Sequence, residues 1–296
     1  MGGPLEELHD RHQFRPHPDA LLHLRRGGLG TVSRRQRLSF VHESKSRRFL
    51  VSRRSFFGGI AGLSLSGCVS RAQSDDSFRL RSRPGKNSST LAPGVHPLGI
   101  RAERDAILYI PTSLKTDQPS PLLVYVHGAG GPRQSEKERM TKAADEHAFI
   151  LLSPPSEGPT WDAIRGEYGA DVRVIDKALA RTFSACRIDP RRIALSGFSD
   201  GATYALGLGL SNSDFFKSVL AFSPGFIPAG SKVNGSPRIF ISHGTNDNIL
   251  PIDSCSRRLV PQLKREGWAV TYREFEGPHT VPPNVLTEAM EWFLAS

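Results

Sequence analysis

Arg192-Ile193-Ala194-Leu195-Ser196-Gly197-Phe198-Ser199-Asp200-Gly201-Ala202 is an apolar β-type run that closes on G-x-S-x-G and opens into a helix of small and apolar residues. A serine on such a sharp strand-to-helix turn lifts its hydroxyl clear of the sheet, and the flanking glycines let neighbouring backbone pass without a Cβ clash. The new helix aims its N-terminus at the serine, where negative charge would develop during acyl transfer. Ser199 is therefore the candidate nucleophile. A bare five-residue pattern of this kind is often only a turn; the preceding strand, the following helix and the Asp189-Pro190 turn supply the context that gives it meaning.

Working outward, short β-type runs alternate with longer helix-type runs. Strands are expected at Ala106–Ile110, Leu122–His127, Phe149–Ser153, Arg192–Ser196, Lys217–Ser223, Arg238–His243 and Val270–Phe275. Helices are expected at Ser135–His147, Ala170–Cys186, Ala202–Leu210, Ser254–Glu266, with Pro261 implying a kink or late start, and Asn284–Leu294. Alternation of this kind implies an α/β fold with a mostly parallel sheet covered by helices on both faces. Ligands then gather at the C-terminal strand ends, and the residues just after each strand become the ones to inspect. About fifteen residues separate the two strands that follow the Ser199 helix, too few for a large cap domain.

A serine hydroxyl needs a base, and an imidazole suits that task at neutral pH. His279, in Glu276-Gly277-Pro278-His279 between the last strand and the last helix, is the candidate base. His127 and His243 end apolar strands before glycines and read as structural hydrogen-bonders near the site. The imidazole in turn needs a carboxylate to fix its tautomer. Asp247 stands in the loop after the strand ending at His243; the rival Asp253 reads more simply as a helix N-cap. The backbone N–H of Asp200 is one candidate oxyanion donor. The glycine-rich turn His127-Gly128-Ala129-Gly130-Gly131 supplies the other, with the Ala129 amide chosen and Gly130 as alternative. That turn lacks G-x-G-x-x-G spacing, which argues against a dinucleotide site. Trp161 reads either as a wall of the acyl pocket or as core.

Ile241-Ser242-His243-Gly244-Thr245-Asn246-Asp247-Asn248-Ile249-Leu250-Pro251, the Tyr272–His279 segment and the G-x-S-x-G turn together resemble the phospholipase/carboxylesterase family of α/β-hydrolases, relatives of acyl-protein thioesterases and dienelactone hydrolases. The resemblance covers roughly residues 100–296. It implies the α/β-hydrolase fold, hydrolysis of short acyl esters or thioesters of small molecules, no cofactor and no metal, and it carries the triad to Ser199, Asp247 and His279, in the Ser, Asp, His order of that fold. It carries the oxyanion donor after H-G to Ala129. Two residues depart from the usual pattern: Asp200 stands where many members have Gln, and Ala129 where many have something bulkier. An acidic Asp200 disfavours anionic acyl groups if its side chain faces the pocket. A thioesterase or peptidase on the same triad, or an inactive binding protein, are the alternatives to an esterase.

The formal net charge of +10 invites a nucleic-acid reading, which its distribution opposes. Residues 1–72 hold 13 Lys+Arg against 5 Asp+Glu, whereas residues 73–296 hold 26 against 24. The near-neutral body offers no phosphate-binding face. Within the basic front, Ser52-Arg53-Arg54-Ser55-Phe56-Phe57 resembles a twin-arginine export signal, and Leu65-Ser66-Gly67-Cys68 resembles a lipobox. The expectation is a leader over 1–72, an exported bacterial protein held at the membrane through acylated Cys68 or, failing that, cleaved near Ala72 and released. Residues 1–40 have no helix or strand period and raise the alternative of a downstream start codon. Residues 73–98 are expected to be a linker and 99–296 the catalytic domain. Cys186 and Cys255, isolated in sequence, read as core thiols, with a disulfide between them as the alternative.

Overall fold

The computed structural model describes residues 76–295, apart from 87–88, 116, 167 and 229–234. Arg53, Arg54 and Cys68 lie outside the described residues. Eight strands form one sheet: β1 (Gly94–Pro97), β2 (Ile107–Ile110), β3 (Ser120–Val126), β4 (Ile150–Ser153), β5 (Ile188–Phe198), β6 (Ser218–Phe222), β7 (Arg238–Gly244) and β8 (Val270–Phe275). Their spatial order is β1-β2-β4-β3-β5-β6-β7-β8. From β4 to β8 every pairing is parallel, with β5 at the centre. This is the architecture of an α/β-hydrolase.

Among the described residues five α-helices cover the sheet: α1 (Gln134–His147), α2 (Ala170–Ala185), α3 (Asp200–Ser211), α4 (Ser256–Arg265) and α5 (Pro283–Leu294). Period-2 alternation sorts the strand side chains onto two faces. Leu122, Val124 and Val126 of β3 join the core beneath α2, α3 and α4. Leu123 and Tyr125 of the same strand join the core beneath α1 and α5, with Met140, Ala144, Val285 and Phe293. Because both faces are covered, β3 and β6 are buried along their whole length, which is why they read as unbroken apolar runs.

The central helix α3 is buried from Gly201 to Ser211, so its composition is set by space and not by amphipathicity. Gly201 lies so close to β3 that a Cβ there would fall on the carbonyl oxygens of Val126 and His127; a Cβ on Gly197 would strike the Gly201 backbone. Both obstacles are main chain and cannot rotate away. Gly201→Ala is expected to cost about 3 kcal/mol or more in urea unfolding, if the variant accumulates as folded protein at all. An unfolding midpoint equal to wild type would show that the helix can retreat from the sheet.

The sheet is mostly parallel, as expected, with two antiparallel pairings at one edge, β1 with β2 and β2 with β4. Other expectations are corrected. Of the expected 73–98 linker, the described residues from 76 on are not a bare linker. Phe78 and Leu80 are buried, the Leu80 N–H donates to Asn212 Oδ1, the Arg81 and Ser82 N–H groups donate to Asp176, and Gly94–Pro97 is β1. Pro261 sits inside α4, which begins at Ser256 well before it. Asp253 does not cap that helix; exposed, it pairs with Arg257, because the chain makes a further turn over residues 252–255 before α4 starts. Cys186 and Cys255 are both free and buried.

Candidate active site

The strand ends of β3, β5 and β7 and the loop after β8 converge on one rim. Ser199 occupies the turn between β5 and α3 at φ 58 and ψ −120, a backbone conformation unfavourable for a residue with a Cβ. It is held there by its N–H, which donates to Phe222 O on β6 at 2.9 Å, and by Thr203, whose hydroxyl donates to Ser199 O and accepts the Gly225 N–H.

The loops after β7 and β8 are laced together through main chain. Thr245 N–H donates to Phe275 O and Asn246 N–H to Gly277 O, and Gly244 gives the carbonyls of Gly277 and Pro278 the room that a side chain would take. This stitching sets His279 beside Asp247. His279 Nδ1 donates to Asp247 Oδ2 at 2.6 Å, and His279 Nε2 accepts from Ser199 Oγ at 2.9 Å. The imidazole is 13% exposed and the carboxylate fully buried, so one edge of the ring remains open to a substrate. The Phe198 ring lies 4.7 Å from the His279 ring and limits its tilt.

Asp247 is saturated with donors. Oδ1 accepts the N–H groups of Ile249 at 3.0 Å and Leu250 at 2.8 Å. Burial pushes the carboxyl up, but the hydrogen bonds from His279, Leu250 and Ile249 outweigh it and hold it below the ordinary carboxylate range. It is ionised wherever the protein is folded at neutral pH.

The glycine-rich turn after β3 is equally braced. His127 is buried and neutral, burial lowering its proton affinity; its Nδ1–H donates to Gly128 O at 2.7 Å and its Nε2 accepts the Ser156 N–H at 3.1 Å. Trp161 Nε1–H donates to the His127 carbonyl at 2.8 Å while its ring stacks on Tyr204 at 4.7 Å. Trp161 is thus a buttress in the core, not a wall of an acyl pocket. Gly130 spends its N–H on Pro159 O at 2.7 Å, which removes it as an oxyanion donor and leaves Ala129 as the amide of choice in that turn. Asp200 is the first residue of α3, where an N–H has no intrahelical acceptor. Its carboxylate receives the Thr160 hydroxyl at 2.5 Å. An arrangement of this kind can take a proton from a serine, stabilise the resulting imidazolium and offer two amides to an oxyanion.

Comparison with known proteins bears on the class of chemistry. A family model described as Phospholipase/Carboxylesterase matches residues 170–295. The sequence named "Probable feruloyl esterase C" from Aspergillus oryzae is 28% identical over 188 residues, spanning 59% of this chain and 67% of that one. An acetylxylan esterase from Coprinopsis cinerea is 27% identical over 221 residues, spanning 60% and 57% respectively. The crystal structure of esterase PE8 superposes with a TM-score of 0.52 at 21% identity, over 64% of this chain and 96% of that one. The chain has the α/β-hydrolase fold, and its C-terminal part is similar to the carboxylesterase family. These similarities support a carboxylesterase-type enzyme.

Of the residues that sequence singles out, the structure brings His279 within hydrogen-bond reach of both Ser199 and Asp247, and leaves Asp253 outside with Arg257. It also adds a participant that sequence reading passes over: Thr203 ties the serine carbonyl to the loop after β6, four residues on from the nucleophile. Trp161, read from sequence as pocket wall or core, braces the glycine-rich turn from the core. His243, assigned a structural role by sequence, is buried with its Nε2 only 3.2 Å from Asp247 Oδ2. Neither of two surface cavities includes a triad residue: one is lined by Ser113, Lys115, Pro121, His147 and Arg192, the other by Asp162, Arg165, Tyr168 and Arg173.

Proposed function

We propose that this esterase cleaves carboxylic esters by a Ser199–His279–Asp247 triad through an acyl-enzyme intermediate. The observation that carries the reading is the unbroken series from buried carboxylate to imidazole to a serine hydroxyl on a strained turn, at 2.6 and 2.9 Å. His279 takes the Ser199 proton as Oγ attacks the ester carbonyl, and the tetrahedral oxyanion is met by the N–H groups of Ala129 and Asp200. His279 then returns the proton to the departing alcohol, and a water activated by the same imidazole releases the acid. With Asp247 already holding four donors around its two oxygens, the ring cannot easily turn away between the two half-reactions.

The names of the relatives point to esters in which an aromatic or short acyl group is attached to a polysaccharide, and such esters are the substrate class proposed here. The fifteen residues between β6 and β7 make no large cap, in keeping with an acyl group carried on an extended alcohol. An export signal at Arg53-Arg54 and a lipid anchor on Cys68 belong to the same reading, since a polysaccharide substrate lies outside the cytoplasm.

The test is a substrate panel on purified protein: a short-chain p-nitrophenyl ester, the methyl ester of ferulic acid, acetylated xylo-oligosaccharide, an acyl thioester and a peptide. Turnover of the aryl ester together with one of the two plant-type esters is expected. A chain that hydrolyses the thioester or peptide far better than any oxygen ester would transfer the triad to that substrate class. Absence of turnover, with Ser199 unlabelled by a fluorophosphonate, would make it an inactive binding protein.

A further inference from the structure

A second imidazole reaches the triad carboxylate from behind. His243, the penultimate residue of β7, is completely buried and held at both nitrogens. Nδ1 lies 2.6 Å from Ser256 Oγ, itself buried at the first residue of α4. Nε2 lies 2.8 Å from Leu250 O and 3.2 Å from Asp247 Oδ2. A carbonyl oxygen can only accept, so Nε2 must carry the proton. Nδ1 of the neutral ring then accepts the Ser256 hydroxyl proton, and the single Nε2–H is shared between the Leu250 carbonyl and Asp247 Oδ2.

We propose that His243 is a positioning residue for the reaction: with Ser256 fixing its tautomer, it supplies a second imidazole N–H to Asp247 and pins the Gly244–Leu250 loop, so that the carboxylate faces His279 with part of its charge already engaged. The proposal rests on the triad reading given above. His243 touches neither the serine nor the space where a substrate would lie; it acts through Asp247. Its geometry has two consequences for the acid. The shared N–H holds Leu250 O while the Leu250 N–H holds Asp247 Oδ1, so the loop is closed on itself around the carboxylate. In addition, the two donors on Oδ2, at 2.6 Å from His279 and 3.2 Å from His243, compete for the same oxygen. Removing the weaker donor leaves more negative charge for the stronger.

The charged and titratable groups facing this imidazole are few. Asp247 and His279 lie on the rim side. Glu274 on β8 stands opposite His243 in the strand register and is already paired with Arg257 of α4. Burial holds His243 below the ordinary imidazole range, in keeping with a neutral ring that donates through Nε2.

The experiment follows the His279 ring by proton NMR as a function of pH in the resting enzyme, with its resonance assigned by absence in His279→Gln. The kinetics of a neutral aryl ester are measured in parallel. His243→Leu is expected to raise the His279 midpoint by about half a pH unit to one unit, the size of one lost hydrogen bond to a carboxylate. It should lower kcat about 10- to 100-fold and leave KM within about twofold, as befits misplacement of the reacting groups. His243→Gln, which keeps an N–H able to reach the same acceptors, should recover most of both changes, and Ser256→Ala should move the midpoint the same way by less.

If His243→Leu lacks a native near-ultraviolet circular dichroism spectrum, the Gln and Ser256 variants carry the comparison. Midpoints that coincide with wild type in every folded variant would overturn the proposal, even if kcat fell, because the loss would then be structural. Ser199→Ala, run beside them, separates the two readings. If that variant kept turning over, the triad assignment would fall while the NMR midpoints still reported on the His243 contact.

Discussion

Ser199→Ala is expected to abolish turnover of a short-chain p-nitrophenyl ester, lowering kcat by about 10⁴-fold or more while leaving the fold intact. The size follows from the covalent role: without Oγ there is no acyl-enzyme, and the neighbouring amides can only stabilise attack by water. Structural damage should be slight, because the hydroxyl makes one contact, to His279 Nε2, and the turn is held by backbone bonds at Ser199 N and O that alanine retains. The check pairs steady-state kinetics with thermal unfolding. Residual activity within about tenfold of wild type, in a preparation free of contaminating esterase, would remove Ser199 from the mechanism.

Asp247→Asn is expected to cost about 10⁴-fold in kcat with little change in KM, for a reason legible in the hydrogen bonds. Oδ1 faces two backbone N–H groups, so the asparagine carbonyl must take that position and its NH₂ must occupy the other. An NH₂ opposite His279 Nδ1 forces that nitrogen to become the acceptor, which puts the ring proton on Nε2, pointing at Ser199. The base is then in the wrong tautomer to receive a proton. The same NH₂ also confronts the Nε2–H of His243 at the former 3.2 Å contact. The rising limb of kcat/KM against pH, set by an imidazole, should move to lower pH in the variant, since a carboxylate that favours imidazolium has gone. Asp253→Asn, altering an exposed pair with Arg257, should leave kcat within about twofold. A larger effect from Asp253 than from Asp247 would exchange their roles.

The same substitution has a stability consequence with a definite sign. The Asp247 carboxyl is held below its unfolded value, so its contribution is present above the ordinary carboxylate range and is lost as the pH falls through the depressed folded value. The gap in Tm between wild type and Asp247→Asn should therefore be widest near neutrality and should close below about pH 4, near the unfolded carboxylate value. A gap that widened on acidification would mean that the carboxyl is protonated in the folded protein.

Much of this was legible in sequence because the central sheet is buried on both faces. Strands such as β3 and β6 carry unbroken apolar runs, and turns between them are marked by glycine, proline and aspartate, so the residues following each strand could be picked out directly. The parts that were not legible share a physical cause. The 76–83 segment is a largely polar stretch whose partners stand far along the chain: Leu80 bonds Asn212, 132 residues away, and Arg81 bonds Asp176, 95 residues away. No local pattern reports such a contact. Trp161 gave no clue to its direction, because a large apolar ring suits a core or a pocket equally well. His243 and Ser256 were visible as residues, but which nitrogen faces which acceptor is fixed only when α4 docks against β7.

The crowding of main chain around the Ser199 turn also bears on how this protein could be made more heat-resistant. Exchanging glycine for alanine is a common route, since it narrows the unfolded ensemble and gains about 0.4–1 kcal/mol where the folded backbone tolerates a methyl group. That route is closed at Gly197, Gly201 and Gly244, where neighbouring backbone already fills the methyl position. It stays open at Gly85, where a methyl group would meet nothing within 4 Å and the backbone is not left-handed. Thermal hardening of this protein must therefore proceed from the periphery inward, and it meets a hard limit at the Ser199 turn.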